Sequence, residues 1–213
     1  MLCVTLTLTN TVPAASAERT VEHLVDSLNA RPDAVGGEAI GFNTRGPRQV
    51  QGCLATADET VGLVLSIARS SAWGVHLTLI PNSMSEYSDT SKSSWLEGAF
   101  SRAAEAGAGS LRAPGGVKVE LLRENGLVGI KHAPEIGPIE STLQLLCAIE
   151  RRRSDEGQEA GVMINAGRSQ TEAAQLLGVS QQAVSSRLQS GYWYESRKVA
   201  YWLAVQIEQL ITP

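Results

Sequence analysis

Leu2, Val4, Leu6 and Leu8 alternate with Cys3, Thr5, Thr7 and Thr9. This period of two predicts a half-buried strand with one apolar face. The spacing then changes: Val21, Leu24, Val25 and Leu28 fall at i, i+3, i+4 and i+7, predicting an amphipathic helix over residues 17–29. Two strand-like runs around a Gly-Pro pair in GGEAIGFNTRGPRQVQGCLA predict a hairpin. Val61, Val64, Leu65 and Ala68 mark a second helix, and WGVHLTLI (residues 73–80) reads as a strand. A loop rich in Ser, Asn and Asp is predicted over 81–94, then a helix on Leu96, Ala99, Phe100 and Ala103, then a strand on Val117, Val119 and Leu121.

Strand, helix, two strands, helix, strand, helix, strand is the order of an α+β sandwich of ferredoxin-like type. HAPEIGPIE (132–140) carries two prolines and a glycine where the pattern becomes purely helical. It suggests two domains: an α+β domain over 1–134, then an all-α domain over 139–213. Helices are expected near 139–152 and 156–166, as a pair within 169–190, and near 196–211.

Composition narrows the function without naming it. Hydrophobic residues make up 43% of the 213 and charged residues 19%, as in a soluble globular protein. No apolar run reaches membrane-spanning length. MLCVTLTLTNTVPAASAER lacks the basic start and continuous apolar block of a signal peptide. Cys3, Cys53 and Cys147 are odd in number and far apart, and His23, His76 and His132 are equally scattered. Neither set suits a disulfide framework or a zinc site, so a cytoplasmic protein without metal or cofactor is expected. The net charge of −4 argues against indiscriminate polyanion binding. From residue 141 onward seven Lys/Arg balance seven Asp/Glu, so the surplus acid lies in the first 140 residues. Arg151, Arg152 and Arg153 are followed at once by Asp155 and Glu156 and read as a solvated helix end.

GRSQTEAAQLLGVSQQAVSSRL (167–188) carries the chemistry. Ser169 with Glu172 three residues on is a capping box. Gly178 can take the left-handed conformation of a tight turn, and Ser180 can cap a second helix ending at Gly191. Ala174 is small enough for two helices to cross closely, and Val184 and Leu188 would pack against Ala173, Leu177 and Val179. A helix-turn-helix needs this set. EAAQLLGVSQQAVSSRL resembles the helix-turn-helix of LuxR-type regulators and of sigma-factor region 4 over about 25 residues. The resemblance implies double-stranded DNA as partner, read in the major groove. Gln181, Gln182, Ser185, Ser186 and Gln189 would face the bases, with Arg187 at the flank. Ser169, Gln170 and the free N–H groups of the first helix would face phosphate, with Arg168, Arg197 and Lys198 adding charge, and Ser180 belongs to the same DNA-binding set. The same residues also suit an ordinary solvated face. So few cations call for a homodimer. Val199, Trp202, Leu203, Gln206 and Leu210 form a stripe suited to pairing or to closing the small domain's own core.

RQVQGCLATADETVGLVLSIARSSAWGV (48–75), together with that tail, resembles SatD-like bacterial proteins, which join a small α/β domain akin to the palm of nucleotide cyclases to a helix-turn-helix. The chain departs from that pattern at two places. The first strand ends in Thr9-Asn10 where the family tends to carry an acidic motif. Pro47-Arg48-Gln49 precede the Gln51-Gly52 pair where a Gly-Asp-Glu is usual. Palm-type phosphoryl transfer needs carboxylates for its metal ions, and Glu38 alone cannot replace them. No Walker loop, Gly-x-Ser-x-Gly elbow or His-Glu-x-x-His run is present. His76 reads as a packed or edge histidine, and Asp58 and Glu59 as residues suiting a helix start. The expectation is therefore a non-enzymatic, sequence-specific DNA-binding protein, a bacterial transcriptional regulator. The alternatives are an adaptor that docks a protein partner on the same fold and, more remotely, a divergent nucleotide-handling enzyme.

Overall fold

The computed structural model describes residues 1–30, 40–84, 89–113, 116–124 and 126–212. The fold is mixed α+β. β1 (Leu2–Leu8) is followed by α1 (Ala14–Asn29), β2 (Ile40–Thr44), β3 (Gln49–Leu54), α2 (Ala57–Ala68), β4 (Trp73–Leu79), α3 (Asp89–Gly107), β5 (Val117–Arg123) and β6 (Gly126–Val128). Five helices follow without a strand: α4 (Gly137–Arg152), α5 (Asp155–Asn165), α6 (Gln170–Leu177), α7 (Gln181–Ser190) and α8 (Trp193–Ile211). Of the expected features, Glu38 and part of the 81–94 loop lie outside the described residues, as does the Leu96 side chain.

The six strands form one sheet in the order β2-β3-β1-β4-β5-β6. β1 is antiparallel to both β3 and β4, whereas β5 runs parallel to β4 after the α3 crossover. β6, which the sequence pattern does not announce, closes a short hairpin with β5. β1 is buried along its whole length, so the half-buried strand expected from the alternation is corrected. Its leucines and valine face α1 and α2 in the main core. Its Cys3-Thr5-Thr7 face lies under α3, where Cys3 joins Cys53, Ala99, Phe100, Ala103 and Leu122.

α2 is buried over most of its circumference, including Leu63 and Ile67 outside the predicted stripe, with Asp58, Glu59, Gly62 and Ser66 on one exposed side. A helix with so wide an apolar face must pack against more than one neighbour. α2 lies between the sheet and α4 and α8, whose Ile139, Leu143, Leu146, Leu203 and Ile207 belong to the same core. Helices on both sides of the 132–140 segment therefore share one hydrophobic core. A smaller cluster of Ala160, Ala173, Ala174, Val184, Leu188 and Trp193 holds α5, α6 and α7 together.

Between the two cores sits a buried ionic cluster. The Arg153 guanidinium bonds the Glu150 carboxylate, Gln158 Oε1 (3.2 Å), Gly191 O (3.1 Å) and Ser196 Oγ (3.0 Å). Arg197 reaches the other Glu150 oxygen at 2.9 Å. Both guanidiniums stand over the Trp193 ring, 4.7 and 4.4 Å from its centroid. Trp193 in turn rests on bare backbone at Gly161, where an added Cβ would come within 2.2 Å of the indole. From α2, Arg69 adds bonds to Gln158 and Asp155, and Arg151 Nε bonds Ala68 O. Arg153 is thus buried and Arg151 engaged, which corrects the reading of the arginine run as a solvated helix end. Only Arg152 of the three is exposed.

The sheet face under α3 is unusually polar. Gln51 Nε2 donates to Thr5 Oγ1 and to Phe100 O, and Gln49 Nε2 donates to Ala104 O. The buried His76 places Nε2 3.1 Å from Glu120, which also accepts from Lys118. Burial alone would raise the Glu120 carboxyl, but the hydrogen bonds and charges of His76 and Lys118 outweigh it and bring the pKa down to about 2.

Arg153→Met leaves Glu150 buried with half its partners, so urea unfolding should show a loss of about 3 kcal/mol. Arg152→Met should change stability by less than about 0.5 kcal/mol. Glu120 has a depressed folded pKa, so its contribution is complete above its unfolded pKa and is lost as pH falls from about 5 toward 2. The urea midpoint should fall less over that interval in Glu120→Gln than in the parent chain.

Candidate nucleic-acid interface

α6 begins at Ser169, whose hydroxyl accepts from the Glu172 N–H at 3.2 Å. The Glu172 carboxylate accepts from the Ser169 N–H and hydroxyl, both at 2.8 Å. These bonds, the backbone one first, hold the Glu172 carboxyl below its usual pKa. The capping box predicted from the sequence is present.

At the other end Gly178 is left-handed, φ 65° and ψ 31°. Its N–H donates back to Gln175 O, and the Val179 N–H to Ala174 O at 3.0 Å. These two bonds satisfy carbonyls that the helix end would otherwise leave open. Three residues later α7 starts, with the Ser180 hydroxyl accepting from the Ala183 N–H at 3.1 Å. Val184 and Leu188 pack into the cluster with Ala173, Ala174, Leu177 and Val179, which orients every other side chain of α7.

Opposite Val184 and Leu188, Gln182, Ser185, Ser186 and Gln189 follow one another at i, i+3, i+4 and i+7 and are exposed, as is Gln181 in the first turn. None of these five side chains makes a hydrogen bond among the described residues. Their amides and hydroxyls form a continuous polar face with both donors and acceptors available. Arg187 is half-buried on the flank, close enough to Glu156 to help lower that carboxyl after its backbone and Ser154 bonds.

The residues expected to face phosphate are less free. The Ser169 hydroxyl is occupied by the capping box, and the Glu172 carboxylate stands beside it. Gln170 Nε2 donates to Tyr194 Oη at 3.3 Å, tying the start of α6 to α8. Arg197 is committed to Glu150 and Trp193, so its charge is largely neutralised. Arg168 and Lys198 are exposed.

On α8 the packed face consists of Ala200, Leu203, Ala204, Ile207 and Ile211. Of the stripe anticipated from the sequence, Leu203 is buried, Gln206 and Leu210 are half-buried, and Val199 and Trp202 are exposed. Tyr201 (69%) and Trp202 (48%) therefore stand as large aromatic groups on the surface; the sequence pattern singles out Trp202 but not Tyr201.

Arg48 and Gln49, the residues by which the chain departs from the resembled acidic pattern, make structural bonds. Arg48 donates to Thr9 O and Val12 O, both at 2.8 Å, clamping the turn after β1. Gln49 reaches across to Thr7 and α3. No protein-family model, curated protein or solved structure matches the chain.

Because Gly178 sits where an L side chain is strained, Gly178→Ala should lower unfolding stability by about 1–2 kcal/mol, measured by urea titration. Circular dichroism should show unchanged helix content.

Proposed function

We propose that this chain is a sequence-specific DNA-binding protein, a transcriptional regulator of the cytoplasm. In this reading α6 and α7 are a helix-turn-helix and α7 enters the major groove. One observation carries the reading: the exposed polar face of Gln182, Ser185, Ser186 and Gln189 on a helix whose orientation is fixed from behind by Val184 and Leu188. Glutamine can engage the N6 and N7 atoms of adenine, while serine bonds several base edges. The N–H groups at the capped start of α7 would point toward the same groove or its phosphates.

The N-terminal half is read as a ferredoxin-like core extended by two strands. The order β2-β3-β1-β4 with antiparallel neighbours supports this, and so does the two-helix layer on one face. It agrees with the resemblance to SatD-like proteins in a form without palm-type catalysis, where Arg48 and Gln49 have structural roles. Pairing of two copies through the aromatic surface of α8 would double the contacts to DNA.

A second reading, a docking surface for another protein, draws support from the small number of free cations beside α7. Selection of bound genomic fragments by the purified chain separates the two. If DNA is the partner, one motif is enriched. The Gln182→Ala, Ser185→Ala double variant should then bind it about 10- to 100-fold more weakly while staying folded. Two copies bringing Arg168, Arg187 and Lys198 predict a log–log salt slope of about −5. Absence of any enriched motif overturns the DNA reading and favours the protein partner.

A further inference from the structure

Cys3 and Cys53 stand directly opposite one another on β1 and β3, on the face covered by α3. The ladder around them defines what kind of pair they are. The Leu8 N–H donates to Arg48 O at 2.8 Å, so the even-numbered residues of β1 bond toward β3. On the other side, the Ile80 N–H donates to Met1 O at 3.1 Å and the Thr9 N–H to Ala72 O at 2.7 Å, so odd-numbered residues bond toward β4. The register is unbroken from Leu2 to Thr7, which makes Cys3–Cys53 a non-hydrogen-bonded pair of the β1–β3 ladder. In such pairs the Cα atoms approach to about 4.5 Å, inside the roughly 4.4–6.8 Å range that a disulfide spans. Both side chains project to the same face.

Access is the barrier. Each cysteine is 1% exposed, with Ala99, Phe100 and Ala103 of α3 in the same cluster. Burial, and then contact with Cys53, hold the Cys3 thiol well above its usual pKa, so thiolate is scarce while α3 is seated. Among the described residues, α3 is seated by the apolar cluster around Phe100 and by the Gln49 and Gln51 bonds to its backbone, and a layer held partly by such bonds can open below the global unfolding free energy.

We propose that Cys3 and Cys53 are a dithiol that closes to a cross-strand disulfide when α3 lifts, with a low-molecular-weight disulfide such as oxidised glutathione as the oxidant. One cysteine loses its proton to solvent and attacks a glutathione sulfur. The glutathione S–S bond breaks, one glutathione leaves and takes up a proton, and a mixed disulfide remains. The second cysteine, deprotonated in turn, attacks the protein-bound sulfur, forms the Sγ–Sγ bond and releases the second glutathione. The two cysteines give up two electrons, and the oxidant becomes two thiols. Cys147, buried in α4 with a thiol pushed up to about 12 by burial, serves as an internal control.

The test incubates the full chain with oxidised glutathione, alkylates free thiols, and maps peptides without reduction. The expected result is a linked Cys3–Cys53 peptide with Cys147 alkylated, forming several-fold faster in sub-denaturing urea. The oxidised chain should melt roughly 5–15 °C above the reduced one. In Cys53→Ala the mixed disulfide on Cys3 should persist. Separate alkylation of Cys3 and Cys53 after prolonged oxidation would overturn the pairing, as would a stable adduct on either in the parent chain. A linking rate indifferent to urea would overturn the role of α3.

Discussion

The position of the helical half depends on one buried carboxylate. Glu150 accepts from Arg153 with one oxygen and from Arg197 with the other, and both guanidiniums stand over Trp193. Taking such charges out of water costs several kcal/mol per ion. That cost is offset only where nearly every donor finds a partner. Arg153 approaches this condition, bonding Gly191 at the end of α7, Ser196 in α8 and Gln158 in α5. Because those partners lie on three helices, the bonds are met together in a single arrangement. The cluster therefore fixes the corner from which α7 projects, with Arg69 carrying the connection to α2.

The second constraint is the polar face of the sheet. A helix over threonines and glutamines needs polar bonds as well as apolar burial. α3 is held instead by Gln49 and Gln51, which donate to its backbone at Ala104 and Phe100, and by the small cluster around Phe100. Directional bonds of this kind lock the register, yet each contributes only about 1 kcal/mol net. Among the described residues, the α2 side joins most of the core, and the α3 side relies more on polar bonds.

Where sequence and structure agree, local chemistry decides the conformation. The Ser169–Glu172 box, the left-handed Gly178 and the Ser180 cap are each determined within a few residues, so both helices of the pair and the exposed face of α7 could be read directly. The alternation of β1 also gave the strand. It could not show that the threonine face is covered, because the covering helix is rich in Ala, Ser and Gly and carries a weak signal. The arginine run was misread for a related reason. Asp155 and Glu156 are its obvious partners in sequence, whereas Arg153 is satisfied by Glu150 one turn earlier and by groups near residues 191 and 196. On α8, large residues drew attention to Val199 and Trp202. The face that packs uses Ala200 and Ala204, whose small side chains let α8 approach its neighbours closely.

The same ionic cluster bears on how the proposed DNA reader would work. Three of the seven cations beyond residue 140 are engaged inside the fold or at its inner surface: Arg151 on a backbone carbonyl, Arg153 and Arg197 on Glu150. They hold α7 in place but contribute little to a positive field around it. Phosphate neutralisation supplies most non-specific affinity, so a helix poor in free cations binds arbitrary DNA weakly. In the proposed reader, base-edge bonds from Gln182, Ser185 and Gln189 would be unaffected by that shortage. Lowering the non-specific term while keeping the base-reading term raises the ratio between them, and that ratio governs site choice in a genome. A neutral reader held by internal charges would thus trade affinity for discrimination, and a second copy would restore affinity without adding cations to either.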